Sequence, residues 1–389
     1  MTEDSRTGAP GYEAPSDADK GRVEGGQVRF PEWRGTVEPP SAPPPTPTPP
    51  GERIGFAIVA LGRISVEQVL PAFGECLHAR ATALVTSDVE KGRVIARQYG
   101  IPDEAVFAYA DTERLRERSD VRAAYIGLPN GMHREYTERL AAIGLPVLCE
   151  KPMANTPEEA EAMVAACAKD GVPLMIAYRC QYEPFHLAAR KMVESGELGR
   201  LRFVEATNVQ SGGGADQWRY SGALAGGGAL PDIGLYCLNS TRFLVGEEPE
   251  SVTAMAYSPP GDKRWERVEE SMAFTLRFPS GVIASCLTSY GVFNKKSVTL
   301  HFEAGTVEVE DAFSYHGARF WVTRRDGDVA MRAERKIGAK NHFAQELDHF
   351  AVCVRDGTPP KTPGEEGLRD QRIMAALYQA AAEARPIPV

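Results

Sequence analysis

Cysteine is scarce in this chain of 389 residues, and there is no excess of positive charge. The seven cysteines are scattered, contain no Cys-x-x-Cys pair and are odd in number. We therefore expect reduced thiols packed as small apolar groups, with neither a disulfide framework nor a metal site. The formal net charge of −9 argues against a nucleic-acid-binding surface.

Long apolar runs are also missing. No stretch approaches the roughly 20 apolar residues that a membrane-spanning helix needs. The first 50 residues contain neither the apolar core of an export signal nor a twin arginine. The sequence as written predicts a cytoplasmic protein without a membrane partner, or a periplasmic protein if an export signal has been removed.

Proline is concentrated at the N terminus, where residues 1–50 hold 11 of the 29 prolines. The run at 39–50 favours an extended polyproline II conformation. We interpret residues 1–52 as a proline-rich arm and residues 1–27 as a disordered tail. The patch at 28–33 is rich enough in apolar and aromatic groups to dock on a surface, such as that of another subunit.

Residues 53–178 alternate between apolar strand-like runs and helical patterns. A parallel sheet covered by helices on both faces is the fold that such alternation predicts. Helices are expected after residue 88, capped by Ser87 or Asp88, and after residue 157, capped by Asn155 or Thr156. The expected strands lie at 54–59, 81–85, 123–128, 146–149 and 174–178.

Residues 179–389 show a different rhythm, in which strand-like runs separated by turn residues dominate. We predict an α+β domain with a large, open, mainly antiparallel sheet, closed by helices at about 342–355 and 364–384. An open sheet face has to be covered, so we expect a homodimer or homotetramer formed through this sheet and the arm. The expected strands lie at 201–206, 252–256, 271–278, 282–289, 297–302 and 319–323.

Lys151 follows the apolar run at 146–149, at the carboxyl end of a predicted parallel strand. Ligands of open α/β sheets bind in the crevice outside these strand ends. Lys151 is therefore a candidate site residue, although a solvated loop lysine is the commoner role for this residue type.

The first strand-turn-helix is where a dinucleotide fold binds pyrophosphate, on a Gly-x-Gly-x-x-Gly pattern. Residues 60–65 keep only the central glycine, Gly62, and Ala60 takes the place of the first. The fingerprint is therefore weak. After the second strand, Thr86, Ser87, Lys91 and Arg93 suit a 2′-phosphate and favour NADP over NAD. Asp88 is the competing feature, since a carboxylate there commonly binds the ribose of NAD.

Three longer motifs carry a family resemblance. They are Gly-Leu-Pro-Asn-Gly-Met-His at 127–133, Glu-Lys-Pro at 150–152 and Gly-Gly-Gly-Ala-Leu-Pro-Asp-Ile-Gly-Leu-Tyr at 226–236. With these motifs, residues 54–389 resemble the glucose–fructose oxidoreductase, inositol dehydrogenase and rhizopine-catabolism (Gfo/Idh/MocA) family. The segments 178–180, 217–219 and 363–367, together with the proline-rich arm, look most like the glucose–fructose oxidoreductase branch of that family. Ala60 departs from the glycine usual in the family.

The resemblance implies a Rossmann domain and a sugar oxidoreductase. It implies that Tyr236 is the acid–base group, with Lys151 as its neighbour and Asp232 as a third catalytic residue. Because a free phenol has a pKa near 10, we expect the ammonium of Lys151 to lower the pKa of Tyr236. The sugar is assigned to Lys151, Tyr178, Arg219, Asp232 and Tyr236. The cofactor is assigned to Ala60, Leu61, Gly62, Arg63, Ile64, Thr86, Ser87, Lys91, Arg93, Leu128, Pro129, Asn130, His133, Glu150, Lys151, Arg179, Trp218 and Arg219.

Some of these assignments have structural alternatives. His133 also suits a packing role at a helix start, and Asp232 also suits a helix cap or an ion pair. The glycines at 226–228 are compatible with a flexible loop or with backbone that closely approaches a ligand. Tyr178, Arg179, Trp218 and Arg219 could equally form a buried structural group.

Three functions follow from the resemblance. The first is a sugar oxidoreductase with tightly held NADP, in which an aldose gives hydride and leaves as a lactone, and a second sugar takes the hydride and leaves as a polyol. In that version the arm covers the adenine and slows cofactor loss. The second is an NADP-dependent aldose 1-dehydrogenase whose cofactor exchanges. The third is a redox-sensing NADP(H)-binding protein without turnover, which the presence of Lys151, Asp232 and Tyr236 disfavours.

Overall fold

The computed structural model describes residues 22–25, 27–29 and 45–389. The chain divides into two units, residues 1–46 and residues 47–389. In the first unit, the short strands β1 (Arg22–Glu24) and β2 (Gln27–Arg29) form an antiparallel hairpin that the sequence did not predict. Most of the predicted tail, the part of the docking patch at 30–33 and the part of the proline run at 39–44 lie outside the described residues, so the interpretation of the arm stays a prediction.

The second unit opens with the predicted parallel sheet. Its spatial strand order, β5-β4-β3-β6-β7-β8, is the order of dinucleotide-binding folds, and every pairing in it is parallel. This confirms the first half of the predicted fold. The strands are β3 (Ile54–Val59), β4 (Ala79–Thr86), β5 (Val106–Ala108), β6 (Ala123–Ile126), β7 (Val147–Glu150) and β8 (Leu174–Ala177).

Two of the four helices of this half, α2 and α4, begin at a side-chain cap. They are α1 (Leu70–Ala72), α2 (Val89–Gln98), α3 (His133–Ala142) and α4 (Pro157–Asp170). Asp88 caps α2 by accepting from the backbone N–H of Lys91 at 3.0 Å. Thr156 caps α4, with Pro157 at the first helical position. Of the predicted alternatives, Asp88 therefore caps α2 in place of Ser87, and Thr156 caps α4 in place of Asn155.

The second sheet has nine strands in the order β16-β15-β14-β13-β9-β12-β11-β10-β17. β9 and β12 pair in parallel and all other neighbours pair antiparallel, which confirms the predicted open sheet. The sequence did not predict β14, β16 or β17. The strands are β9 (Leu201–Ser211), β10 (Ser251–Tyr257), β11 (Ser271–Arg277), β12 (Ile283–Ser289), β13 (Gly291–Phe302), β14 (Gly305–Glu310), β15 (Arg319–Asp326), β16 (Val329–Arg335) and β17 (Ile387–Pro388).

The last helices of the chain return to the parallel sheet. The helices of this half are α5 (Pro184–Ser195), α6 (Gly222–Ala225), α7 (Leu235–Val245), α8 (His342–Asp356) and α9 (Gly364–Glu383). Asp348 of α8 accepts from the backbone N–H groups of residues 77, 78 and 79 at 2.7, 2.7 and 3.0 Å. Phe350 packs on Phe56 of β3 with ring centroids 6.2 Å apart. The C-terminal helices therefore join the two sheets, and the domain boundaries at 52/53 and 178/179 stay predictions.

Part of the large sheet carries exposed apolar side chains. Met255, Leu287 and Phe293 are 79, 45 and 90% exposed. Assembly through this sheet stays a prediction. Each of the seven cysteines is buried and carries a free thiol. In the part of the chain that the structure describes, no helix is both long enough and apolar enough to cross a bilayer.

Candidate active site

Lys151 reaches from the parallel sheet to the first turn of the α7 segment. It follows the last residue of β7, and its Nζ donates to the backbone oxygen of Asp232 at 2.7 Å and to the carboxylate Oδ1 at 3.2 Å. Its side chain is only 9% exposed. A lysine on a strand end of one sheet and an aspartate beside the other sheet therefore form one buried ion pair.

Asp232 collects two further donors. It lies in a π-helical turn, Leu230–Gly234, which leads into α7. Arg219 Nε donates to its Oδ2 at 2.7 Å, and the hydroxyl of Tyr290 donates to the same oxygen. Burial acts to raise the pKa of Asp232, but the charges of Lys151 and Arg219 outweigh it and hold this pKa well below its usual range. Asp232 is thus a carboxylate that stays ionised and fixes two cations.

Tyr236 lies against the same lysine. The Nζ of Lys151 is 4.6 Å from the centroid of the phenol ring, and the guanidinium carbon of Arg179 is also 4.6 Å from it. Arg179 Nε donates to the phenol oxygen at 3.1 Å. The predicted convergence of Lys151, Asp232 and Tyr236 is therefore present, and the cation that contacts the phenol oxygen is Arg179.

The expected lowering of the pKa of Tyr236 is wrong for the protein alone. Burial raises this pKa above that of a free phenol, and Arg179 offsets the rise only in part. Lys151 lies over the ring, so it is poorly placed to stabilise negative charge on the oxygen. Tyr236 is consequently a neutral phenol at neutral pH. It can donate a proton, but it must lose this proton before it can accept another.

Arg179 is itself buried and held by the second sheet's loops. It is 3% exposed and donates from Nη2 to the backbone oxygen of Phe313 at 2.6 Å. The ring of Tyr315 lies 4.8 Å from its guanidinium carbon. In the structure Arg179 contacts the phenol oxygen of Tyr236, and its assignment to the cofactor stays a prediction.

Two tyrosines of the site were missed by sequence reasoning. Tyr290 follows β12 immediately, so its place at a predicted strand end was a usable indication. Tyr315 lies in an irregular segment between β14 and β15, where no periodic pattern marks it. Tyr290 also stacks on Trp265, with ring centroids 5.8 Å apart and an interplanar angle of 21°.

The turn after β3, residues 60–65, is the predicted phosphate turn. Ala60 adopts a φ of +81°, a left-handed conformation that favours glycine. A Cβ added at Gly62 would meet no atom within 4 Å. The buried hydroxyl of Ser65 has no hydrogen-bond partner in the protein. A phosphate beside this turn would therefore find open space at Gly62 and a hydroxyl without a partner at Ser65.

The segment after β4 is organised around the cap of α2. Asp88 is occupied by the helix N terminus, as the sequence allowed. The Nζ of Lys91 donates to the backbone oxygen of Leu61 at 2.9 Å, and Arg93 pairs with Glu90 on the exposed surface. Lys91 thus lies beside the phosphate turn. Thr86, Ser87, Lys91 and Arg93 stay predicted 2′-phosphate ligands.

The loops after β6 and β7 are joined by His133. Its ring nitrogens lie 2.8 Å from the oxygen of Leu128 and 3.0 Å from the oxygen of Pro152. Glu150 accepts from the hydroxyl of Tyr125 at 2.8 Å and is buried. Burial lowers the pKa of His133 and raises that of Glu150. His133 thus connects the two loops, and the assignments of His133 and Glu150 to the cofactor stay predictions.

Other predicted site residues lie around this crevice. Arg63 is exposed beside Glu67, Leu61 and Leu128 are buried, and Asn130 Nδ2 donates to the oxygen of Ala225 at 2.8 Å. Ile64 is partly buried, and Pro129 caps the short helical turn that precedes α3. The cofactor roles of these residues remain predictions.

The predicted sugar-side residues fall into two groups. Arg219 stacks on Trp218, with its guanidinium carbon 4.7 Å from the ring centroid, and contacts Asp232. Tyr178 is buried, 5% exposed, in a cavity lined also by Lys151 and Tyr236. Arg219 is thus placed at the accessible side of Asp232, and Tyr178 on the buried side of Tyr236.

The glycines at 226–228 have a structural reason that the sequence did not predict, and their two predicted roles stay predictions. A Cβ at Gly227 would lie 2.0 Å from the hydroxyl of Tyr378, and one at Gly228 would lie 1.8 Å from the backbone oxygen of Glu269. Glu269 also accepts from the backbone N–H of Gly228 at 2.9 Å. Glycine is required here because protein groups pack against the backbone.

The comparisons with known proteins agree with this geometry. Residues 54–178 match the family model described as the oxidoreductase family with an NAD-binding Rossmann fold, and residues 186–308 match the GFO/IDH/MocA C-terminal domain. The crystal structure of aldose–aldose oxidoreductase from Caulobacter crescentus, complexed with glycerol, has a TM-score of 0.83 and 39% identity. The match covers 87% of this chain and 100% of that chain.

Two curated relatives are also similar over most of their length. The D-xylose 1-dehydrogenase [NADP(+)] of Haloarcula marismortui is 32% identical over 332 residues, which cover 84% of this chain and 91% of the relative. The D-xylose 1-dehydrogenase (NADP(+)) 2 of Haloferax volcanii is 30% identical over 329 residues, which cover 84% of this chain and 97% of the relative. All three similar proteins are named as oxidoreductases of sugars.

Proposed function

Because the chain belongs to the Gfo/Idh/MocA family of oxidoreductases, we propose that it is an NADP-dependent sugar oxidoreductase. An aldose is oxidised at C1 and leaves as a lactone. The proposal depends above all on one observation: Lys151 of the parallel sheet meets Asp232 and Tyr236 of the second half in a single buried cluster. The three similar proteins are named for reactions of sugars, and two of them are named for NADP, which supports a sugar as substrate and NADP as cofactor.

The residues of the phosphate turn and of the strand ends would hold the nucleotide. Backbone around Gly62 and the hydroxyl of Ser65 suit the pyrophosphate, and Lys91 lies next to the same turn. Since Asp88 is used as a helix cap, its carboxylate does not compete for a ribose hydroxyl. This arrangement favours NADP, which supplies a hydride acceptor at its nicotinamide ring when it is bound.

The protein groups then have separable tasks. Tyr236 exchanges a proton with the sugar C1 hydroxyl, and Arg179 stabilises negative charge on the phenol oxygen because it is the donor in contact with it. Lys151 is fixed by Asp232 and retains a third N–H donor for a sugar oxygen. Arg219 orients Asp232 and borders the opening of the site.

We further propose that NADP stays bound while a second sugar accepts the hydride and leaves as a polyol. The 39% identical aldose–aldose oxidoreductase favours this sequence of two half-reactions. The xylose dehydrogenase relatives favour the alternative, an aldose 1-dehydrogenase with exchanging NADP. Both versions use the same catalytic groups.

The two versions differ in what the purified protein contains. Protein purified without added nucleotide should show NADP(H) absorbance and fluorescence, and should convert a pair of sugars into equal amounts of lactone and polyol. Cofactor-free protein that oxidises aldoses only with added NADP⁺ would favour the exchanging dehydrogenase. Failure of every aldose under both conditions would contradict the proposed function.

A further inference from the structure

A second phenol, Tyr315, lies close to Tyr236 and has no part in the function proposed above. It belongs to the irregular segment between β14 and β15. Arg179 holds this segment by donating to the backbone oxygens of Phe313 at 2.6 Å and of Ser314 at 3.5 Å. The same guanidinium group donates to the phenol oxygen of Tyr236. Arg179 therefore fixes both the catalytic phenol and the segment that carries Tyr315.

The ring of Tyr315 is held by three neighbours. It lies 4.8 Å from the guanidinium carbon of Arg179, and its centroid is 5.5 Å from that of Phe343 and 6.3 Å from that of His342. Tyr315 is nevertheless 40% exposed. Its hydroxyl forms no hydrogen bond with any residue that the structure describes. The protein thus orients the ring and leaves its polar end without a partner.

The phenol of Tyr315 lies within electrostatic reach of both halves of the site. Partial burial raises its pKa to about 12, Tyr236 adds to the rise, and Arg179 and Lys151 oppose it. Tyr315 in turn contributes to the raised pKa of Arg219. At neutral pH the hydroxyl of Tyr315 is therefore neutral, and it can both donate and accept a hydrogen bond.

The charged groups at the centre of the site offer a sugar mainly donors. Oδ1 of Asp232 already accepts from Lys151. Its Oδ2 accepts from Arg219 and from Tyr290. Lysine and arginine side chains can only donate. A sugar hydroxyl also carries a hydrogen, which needs an oxygen with a free lone pair, and the hydroxyl of Tyr315 supplies one.

We propose that Tyr315 binds the aldose, with its hydroxyl hydrogen-bonded to a sugar hydroxyl other than the one at C1. The inference rests on the proposed function, in which Tyr236 exchanges a proton with the C1 hydroxyl. Both phenol rings lie against the guanidinium group of Arg179, so a sugar bound at the oxygen of Tyr236 can also reach Tyr315. A site that hydrogen-bonds one hydroxyl discriminates against sugars that lack it. Tyr315 thereby helps to determine which aldoses the protein accepts.

Tyr315→Phe keeps the ring on Arg179 and removes only the hydroxyl. The KM of the preferred aldose should rise about tenfold, because one hydrogen bond to the sugar is lost. The rate at which saturating aldose reduces NADP in a single turnover should not change. Tyr99→Phe, at a position that is 36% exposed, is the matched control and should alter neither quantity. An unchanged KM in Tyr315→Phe would overturn the proposal.

Deoxy analogues of the same aldose identify the bonded hydroxyl. We compare analogues that lack the hydroxyl at C2, C3, C4 or C6. Tyr315→Phe should lower kcat/KM about tenfold for the parent aldose and should leave it nearly unchanged for the analogue that lacks the bonded hydroxyl, since that hydrogen bond is already absent. An equal loss for the parent and every analogue would show that Tyr315 acts through Arg179 on Tyr236. That result would overturn sugar binding by Tyr315.

Equilibrium binding separates this inference from the proposed function. The Tyr236→Phe protein, loaded with NADP, should bind the aldose without turnover, and titration calorimetry measures its dissociation constant. Adding Tyr315→Phe should raise this constant about tenfold. An unchanged constant would overturn the role of Tyr315 and leave the proposed function intact. Unmodified protein that neither binds nor oxidises any aldose would contradict the proposed function itself.

Discussion

At the scale of single residues, the proposed chemistry depends on Tyr236 and the cations around it. Lys151 and Arg179 each lie 4.6 Å from its ring, yet only Arg179 donates to the oxygen. Lys151 is committed to Asp232. The division of labour between the two cations therefore comes from geometry, since both carry the same charge.

Replacing Tyr236 by phenylalanine should remove proton transfer and preserve the packing of the ring. We expect turnover to fall by roughly 10²–10⁴-fold, the usual contribution of a positioned acid–base group. NADP binding and thermal stability should be unchanged. Tyr257→Phe, at an exposed position of β10, is the matched control and should retain full activity. Turnover of Tyr236→Phe at the normal rate would contradict the assigned role.

Asp232→Asn should destabilise the protein, because Lys151 and Arg219 lose their counter-charge. Breaking a buried ion pair costs about 3–5 kcal/mol. The pKa of Asp232 is lowered in the folded state, so its stabilisation is present above the unfolded pKa and is lost as the pH falls. Denaturant unfolding should show that the difference in the free energy of unfolding between the parent protein and Asp232→Asn is constant from pH 7 to 5 and becomes smaller in stronger acid. A gap that widens in acid would contradict this electrostatic account.

Ala60→Gly should stabilise the fold. The left-handed conformation destabilises a residue with a side chain by roughly 1–2 kcal/mol, and glycine removes this strain. The more flexible unfolded state of glycine lowers the free energy of unfolding by about 0.5–1 kcal/mol in return. We expect a net gain of about 0.5–1 kcal/mol in the free energy of unfolding. Ala57→Gly, three residues earlier in β3, should lose about 1 kcal/mol. A loss of stability in Ala60→Gly would show that the turn is not strained.

The candidate site was predictable only where a local pattern carried it. Lys151 was indicated by its position after an apolar strand, whereas Asp232 and Tyr236 were indicated by the family resemblance, and their spacing of one helical turn only placed them on one face. The contacts of Arg179 with Tyr236 and with Tyr315 could not be predicted, because they depend on loops that the two halves bring together. The pKa of Tyr236 was mispredicted for the same reason, since burial is a property of the whole fold.

At the scale of helices and strands, the active site depends on where elements end. Lys151 follows the end of β7 at Glu150, Asp232 lies in the π-helical turn before α7, and Tyr236 lies in the first turn of α7. α8 then fixes the parallel sheet from the second half through Asp348. The separation between the two catalytic elements is set by such anchors.

Asp348→Ala should loosen this anchor. It leaves three backbone N–H groups at the start of β4 without their acceptor, and an unsatisfied buried polar group costs about 1–3 kcal/mol. We expect a loss of about 3 kcal/mol in the free energy of unfolding and a lower melting temperature. Asp356→Ala, at the exposed end of the same helix, should change neither. Equal melting temperatures for the two variants would contradict the anchoring role.

Element prediction succeeded where burial imposes a pattern and failed where it does not. β3 was predicted at its observed bounds because all six of its residues are buried and apolar. β16 was missed because six of its seven residues are exposed, so its sequence lacks a buried face. β14 was missed although it is as long as β3, and only two of its six residues are fully buried. β17 has only two residues, which is below the length at which alternation can be recognised.

At the scale of the whole molecule, two sheets of different construction build one site. The parallel sheet contributes the phosphate turn and Lys151, and the segments around the nine-stranded sheet contribute Arg179, Asp232 and Tyr236. Fold class was predictable because alternation of strands and helices changes to strand-rich sequence near residue 180. The return of α8 and α9 to the parallel sheet was not predictable, since no local pattern encodes a contact between residues 348 and 77–79.

The central claim is that hydride moves from C1 of an aldose to a second sugar through NADP held at this site. An aldose carrying deuterium at C1, mixed with an acceptor sugar and excess unlabelled free NADPH, tests it most directly. Mass spectrometry should find the deuterium in the polyol and none in the free NADPH. Deuterium in the free NADPH pool, or a polyol without label, would contradict the claim.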